Sequence, residues 1–168
     1  MIYEFTNVQL TKMLQNLLPI LDKAALFAEV KKFEADILLN ARLAPDQFNF
    51  IRQIQIVCDT AKLGASRLTG KEAPTQADTE KTLPELKTRI ESVITYLQKF
   101  TAADYSETSV RQVTQPRWEG QFLTGNEYAL HHVVPNFYFH MSTAYSILRH
   151  NGVEIGKKDY LGKMPFKK

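Results

Sequence analysis

The segment NEYALHHVVPNFYFHMSTAYSILRHNG, residues 126–152, predicts one long helix that carries all 4 histidines of the chain. Its apolar residues recur at intervals of three and four, and we expect the helix to begin near Asn126, to run to Arg149 and to end with Gly152 as its C-cap. Residues four positions apart share a helix face. One polar stripe on this helix therefore consists of Tyr128, His132, Asn136 and His140. The other two histidines point elsewhere.

Three earlier segments have the same helical periodicity. In the first, Pro19 should kink or briefly break the helix, because proline removes a backbone donor and clashes with the preceding turn. Residues 45–46 mark the start of the second helix and Gly70 its end, and Asp78 or Thr79 caps the third. The three predicted helices cover residues 8–37, 45–70 and 79–100.

The connection at residues 101–125 is polar, contains β-branched residues and includes a Pro-Arg-Trp-Glu-Gly turn. This pattern predicts an extended excursion or a short hairpin. The C-terminal tail, residues 155–168, should be a coil packed on the helices. Residues 1–168 are thus predicted to form a single all-α domain, an up-and-down four-helix bundle with a long irregular connection between helices three and four.

Composition excludes several classes of protein. The chain of 168 residues is 44% hydrophobic and 23% charged, which is typical of a globular protein. Its net charge of +3 is scattered, whereas nucleic-acid binding requires a clustered basic face. No apolar run is long enough to span a membrane, and no signal peptide is evident. A single cysteine, Cys58, forms no intramolecular disulfide, so we expect a cytoplasmic protein.

The two histidines on the stripe suggest a metal site, but their spacing is unfavourable. His132 and His140 are eight residues apart, about 12 Å along a straight helix. Zinc–nitrogen bonds of about 2 Å require converging imidazoles, and the amide of the intervening Asn136 is a poor ligand. A kink at Pro135 would change these distances. A histidine on a buried helix face is also commonly a hydrogen-bonded core residue, so both interpretations stay open.

A partner for the stripe is predicted on the second helix. The side chains of Gln55, Asp59, Lys62 and Ser66 share one face there. An Asp–Lys pair at this spacing is either a solvent-exposed ion pair or part of a polar site facing the bundle axis. In the second case Asp59 lies across from Asn136 and His140, whereas Arg52 and Arg67 point outward or cap the helix.

The segment HMSTAYSILRHNGV, which begins at His140, resembles the last-helix signature of the DinB-like (YfiT-like) four-helix bundle superfamily. His140 matches the second histidine of the metal-binding HxxxH motif of that superfamily, and Asn136 occupies the position of the first. The resemblance is closer to a DinB-related subfamily known only as a domain of unknown function. That likeness extends over nearly the whole chain, through FIRQIQIVCDTAKLGASRLTGKEAP, ELKTRIESVITYL and VPNFYFHMSTAYSILRHNGVEIGKKDYLG.

The resemblance implies an up-and-down bundle, often a homodimer, with no established reaction. The superfamily's divalent metal site uses a further histidine on helix two, but this sequence has no histidine before residue 131. Asp59 would take that place beside Asn136 and His140. A carboxylate, an amide and an imidazole make a weak ligand set, so we expect a degenerate site without a metal.

Three functions follow as hypotheses. The first is a pocket that binds a small molecule through an Asp59–His140 pair, lined by Asp59, Lys62, Asn136, His140 and Tyr145, with aromatic walls from Phe137, Tyr138 and Tyr145. The second, implied by the resemblance, is a thiol transferase or hydrolase-like enzyme that holds Zn, Ni or Mn through Asp59, His132 and His140. The third is a structural module without a ligand. We rank the small-molecule pocket first and expect neither nucleic acid nor membrane as a partner.

Overall fold

The computed structural model describes residues 1–167 of the chain, and the fold is all-α. Its four longest α-helices are α1 (Gln9–Lys31), α2 (Phe50–Thr69), α3 (Leu83–Leu97) and α4 (Val134–His150). A π-helical turn, Glu4–Val8, leads into α1. An α-helical turn, Gly125–Tyr128, and a π-helical turn, Ala129–Val133, lead into α4, so the helical backbone before His150 begins at residue 125, as the sequence predicts.

The starts of α2 and α3 lie later than predicted, because capping side chains decide them. α2 begins at Phe50, where the side chain of Asn49 accepts a hydrogen bond from the backbone nitrogen of Arg52 at 3.1 Å. α3 begins after Thr82, which forms a reciprocal capping box with Glu85. The predicted C-cap of α2 is confirmed: Gly70 has a φ of 77°, a left-handed conformation that glycine adopts without steric cost.

The first helix continues through Pro19 without a break but ends earlier than predicted, at Lys31. Leu17, Ile20 and Leu21 around the proline are almost completely buried. Their packing offsets the loss of one backbone hydrogen bond, which costs about 3 kcal/mol in a helix interior. Lys32 adopts a left-handed conformation that ends the helix, and a separate short helix, Asp36–Leu39, follows.

The connection between α3 and α4 contains the predicted hairpin. Strand β1 (Gln112–Val113) pairs antiparallel with strand β2 (Leu123–Thr124), and 3-10 turns lie at Ala102–Tyr105 and Pro116–Trp118. The C-terminal tail is not entirely coil. It forms the short helix Lys157–Leu161, which packs against α1.

Helix α2 occupies the centre of the packing. It contacts α4 most extensively and α3 next, and α3 also packs against α1. Gly64 of α2 lies so close to Val133 that a Cβ atom on the glycine would be 2.9 Å from Val133 Cγ1. The absence of a side chain at residue 64 therefore lets α2 approach the helical segment before α4. Within residues 1–167, no helix combines the length and apolarity needed to cross a membrane.

We predict that Gly64→Val lowers the free energy of unfolding by about 1–3 kcal/mol, because the added methyl groups overlap Val133 in a packed interface. Chemical denaturation followed by circular dichroism measures this change. Gly156→Val is the matched control, because no heavy atom lies within 4 Å of a Cβ at that position. Equal unfolding free energies for the two variants would contradict the close approach.

Candidate functional site

A cavity of about 400 Å³ lies between α2 and the helical segment that ends in α4. We call it the α2–α4 cavity. The cavity lies in the region where the sequence predicts a site, between the second and last helices. The side chains that line it are Phe48, Arg52, Ile56, Asp59, Thr60, Leu63, Arg67, Gln115, Arg117, Tyr128, His132, Asn136 and His140.

The polar stripe of the last helix faces this cavity. All four of its side chains, from Tyr128 to His140, are among the lining residues, so the geometry predicted from their spacing is confirmed. The π-helical turn Ala129–Val133 precedes Pro135, which lies in the first turn of α4. Such wider turns occur frequently at functional sites. Asn136 fixes the position of the stripe, since its Nδ2 donates to Thr60 Oγ1 of α2 at 2.8 Å.

His140 is buried and is oriented by Gln53, a buried residue outside the predicted polar stripe of α2. The Nδ1 of His140 lies 2.7 Å from Gln53 Oε1. Gln53 Nε2 donates to the carbonyl oxygen of Phe48, so its Oε1 is the acceptor and His140 Nδ1 is the donor. Within residues 1–167 the Nε2 of His140 has no hydrogen-bond partner and is not among the buried unpartnered atoms. Its lone pair is therefore free to accept a proton or a hydrogen bond.

Both cavity histidines favour the neutral form. Burial lowers the pKa of His140 below its usual value, and the charge of Arg52 lowers it further. Burial likewise lowers the pKa of His132, with added contributions from Arg117 and Arg67. In these states the imidazoles accept hydrogen bonds without adding charge to the cavity.

His132 belongs to a compact group of aromatic and basic side chains. Its ring stacks on Tyr128 with the centroids 5.2 Å apart, and its Nε2 lies 2.8 Å from Arg117 Nη2. Because a guanidinium only donates, Nε2 is the acceptor and the proton of the neutral ring is on Nδ1. Arg67 Nη1 donates to the hydroxyl of Tyr128 at 2.8 Å.

Asp59 lines the cavity, but its carboxylate is committed to other partners. Its Oδ1 lies 2.9 Å from Arg89 Nη2 and 3.0 Å from Lys62 Nζ. The predicted Asp59–His140 pair is therefore wrong. His140 forms a hydrogen bond with Gln53 instead. The guanidinium of Arg89, on α3, reaches Asp59 and neutralises its carboxylate.

Arg89 is the centre of a buried ion network. It is 3% exposed, and besides Asp59 it binds Asp78 at 3.0 Å and Glu80 at 2.9 Å. Burial raises the pKa of Glu80, but hydrogen bonds from Arg89 and Gln55 outweigh this effect and leave the pKa below its usual value. The network joins α2, the segment before α3 and α3 itself.

Two predicted pocket residues lie outside the cavity lining. Lys62 is buried against Asp59 and Gln76 rather than beside α4. Tyr145 donates to the carbonyl oxygen of Ile155 at 3.3 Å and packs edge-on against Tyr160, so it holds the C-terminal segment.

Of the predicted stripe on α2, only Asp59 is among the residues described as lining the cavity. Gln55 and Ser66, like Lys62, bind the segment that follows α2, through Glu80 and the carbonyl oxygen of Lys71. The predicted aromatic walls are wrong as well. Phe137 lies in the core and Tyr138 bonds to Gln9, whereas Phe48 and Tyr128 line the cavity.

Arg52 and Arg67 line the cavity, contrary to the prediction that they point outward or cap the helix. Besides Asp59, the α2 side chains that line the cavity are Arg52, Ile56, Thr60, Leu63 and Arg67. These residues recur at intervals of three and four, so a periodicity signal for this face is present in the sequence. Arg117, from the hairpin connection, carries no comparable signal.

The predicted metal ligands do not form a metal site. Within residues 1–167 no group of three or more histidine, cysteine, aspartate or glutamate side chains is arranged to hold a metal ion. The Nε2 of His132 accepts from Arg117, and Asp59 is neutralised by two cations. Guanidinium groups around the cavity disfavour a divalent cation. The donor set therefore does not fit Zn, Ni or Mn.

Cys58 offers no nucleophile to the cavity. Its side chain is completely buried in the core. Burial raises the pKa of this thiol to about 12. The thiol is therefore neutral and enclosed at physiological pH.

Comparisons with known proteins agree with this fold. Residues 2–161 match the sequence model of a protein family described as "Domain of unknown function (DUF1993)". The crystal structure of a DinB family member protein from Shewanella denitrificans is 60% identical and has a TM-score of 0.96, with 99% of this chain and 94% of that chain covered. Among curated proteins, none matches the chain.

We predict that the chain loses stability as the pH falls below about 6.5, the usual pKa of an unfolded histidine. The lowered pKa of His140 means that the unfolded chain binds a proton that the folded chain resists, so protonation favours unfolding. Urea unfolding between about pH 7 and pH 5 should show a weaker pH dependence for His140→Gln. His150→Gln, at an exposed position of the same helix, should retain the original dependence. Parallel profiles for all three proteins would contradict this role of His140.

We also predict that Arg89→Met lowers the free energy of unfolding by about 3 kcal/mol, because it leaves three carboxylates without their shared cation. The control is Lys87→Met on the same helix. It removes only the partly exposed Lys87–Asp22 pair and should cost no more than about 1 kcal/mol. Urea titration measures both values, and similar losses would show that the buried network contributes no special stability.

Proposed function

Because the chain belongs to the family described as a domain of unknown function (DUF1993) and is DinB-like, we propose its function from the geometry of the α2–α4 cavity. The protein binds a small molecule there, at a site whose metal-binding character is degenerate. The supporting observation is the free Nε2 lone pair of His140, held by Gln53 on the wall of a cavity of about 400 Å³.

The composition of the cavity supports this proposal. Small-molecule sites typically have volumes of about 300–1,000 Å³ and combine apolar walls with a few polar groups of fixed orientation. Phe48, Ile56 and Leu63 supply apolar surface here. His140 and Asn136 are fixed by hydrogen bonds to α2 and therefore keep a defined orientation.

The alternatives have less support. A metal-dependent thiol transferase or hydrolase-like enzyme would need Asp59 and His132 as ligands, and both are engaged with arginine or lysine side chains. A purely structural module would not need an open cavity with an unpartnered imidazole nitrogen. The small-molecule site accounts for both features.

We further propose an up-and-down order of the four long helices, a homodimer and a cytoplasmic location. Short connections between successive helices favour antiparallel neighbours. Phe5, Val8, Leu130 and Phe139 are each more than 40% exposed and would provide apolar surface for a second copy. The single cysteine agrees with a reducing compartment.

A thermal-shift screen of small polar metabolites tests the binding proposal. A ligand at 100 times its Kd stabilises the chain by about 2.7 kcal/mol, which corresponds to a Tm increase of roughly 5–10 °C at this size. His140→Leu should abolish the shift, because it removes the acceptor on the cavity wall. Tyr145→Phe should keep it, because Tyr145 lies outside the cavity lining. The proposal would be contradicted if both variants retained the Tm increase, or if no metabolite in the screen raised the Tm.

A further inference from the structure

One end of the α2–α4 cavity is cationic without a countercharge. Arg67 and Arg117 line it, one from α2 and the other from the hairpin connection. Within the described residues neither guanidinium forms a salt bridge, whereas Arg52 at the other end is paired with Asp78. Arg67 and Arg117 instead converge on two neutral rings, those of Tyr128 and His132.

Within residues 1–167, the only carboxylate on the cavity wall is that of Asp59, and it does not balance these charges. Asp59 is eight residues from Arg67 on α2, about 12 Å along the helix axis. Its charge is already shared between Arg89 and Lys62. Two like charges that line one cavity repel each other, and an anion bound between them would offset this repulsion.

The same end contains further donors without acceptors. Gln115 lines the cavity and is 9% exposed, and its Nε2 has no hydrogen-bond partner in residues 1–167. The Nδ1 of His132, which carries the proton, is buried and equally unpartnered in that range. A buried donor without a partner costs about 1–3 kcal/mol. N–H groups that have no acceptor leave their partial positive charges uncompensated, which adds to the positive character of this end of the cavity.

We propose that this cationic end binds the oxyanion headgroup of the cavity's ligand, a carboxylate or a phosphate monoester. This inference rests on the proposed small-molecule site and names its ligand class. Guanidinium groups bind both headgroups through charge-assisted hydrogen bonds. The ligand's apolar part extends along Leu63 and Ile56 toward His140, which lies with Arg52 at the opposite end.

The experiment compares four probes with the same six-carbon chain: hexanoate, hexyl phosphate, 1-hexanol and hexylammonium. NMR titration of the full chain at low salt gives a Kd for each probe. We expect one or both anions to bind at least about tenfold more tightly than the alcohol and the amine, since a hydrogen bond to a charged group contributes at least about 1.5 kcal/mol. The tighter of the two anions identifies the headgroup.

Variants assign the effect to the cationic end. Arg67→Met and Arg117→Met should each raise the Kd of the anion about tenfold or more. Arg149→Met is the matched control, because it removes the same charge from an exposed position of α4 outside the cavity lining and should change the Kd less than about twofold. A nonspecific charge effect would make all three variants equal, and that result would overturn the inference.

Failure of this inference differs from failure of the proposed function. Suppose that 1-hexanol binds as tightly as hexanoate, that Arg67→Met has no effect and that His140→Leu weakens both probes. The small-molecule site would then stand and the oxyanion inference would be overturned. If no probe shifts the resonances of the cavity residues, the oxyanion inference is also overturned, and the metabolite screen with His140→Leu then decides the proposed function independently.

Discussion

The fold around the site depends on the buried guanidinium of Arg89. It collects the carboxylates of Asp59, Asp78 and Glu80 from two parts of the chain that are separated in sequence. A buried charge of this kind is tolerated only when it is fully paired. The network therefore fixes the segment before α3 against α2, and it also determines the character of the cavity, because it removes Asp59 from the set of groups that could pair with a cation or an imidazole there.

The cavity itself arises where α2 and the last helical segment meet. Gly64 allows close approach at Val133, and the hydrogen bond from Asn136 to Thr60 joins the helices further along. The cavity lies beside these contacts, and both Thr60 and Asn136 are on its wall. Most of the lining residues belong to these helical segments, while Gln115 and Arg117 come from the hairpin connection. Sites built on helices hold their side chains more accurately than sites built on loops alone.

Much of the fold could be predicted from periodicity, and the site only in part. The spacing of four in the last helix identified the stripe from Tyr128 to His140, because all of its members lie on one element. The predicted face of α2 is wrong for Gln55 and Lys62, which form an equally regular stripe with Asp59 but do not line the cavity. Choosing between the two faces of α2 requires knowing that Arg89 lies 30 residues beyond Asp59 in the chain yet contacts it. Periodicity defines the faces of a helix, but it does not identify the neighbour that each face meets.

The enclosed thiol of Cys58 gives this chain an internal reporter of its own opening. A neutral sulfur with no exposed surface resists alkylating reagents, since thiolates rather than thiols react with them. Labelling of the single cysteine therefore proceeds only through conformations in which α2 separates from the core. The labelling rate therefore measures the population of those conformations without any engineered probe. The residue next to Cys58 in sequence is Asp59, whose carboxylate binds Arg89.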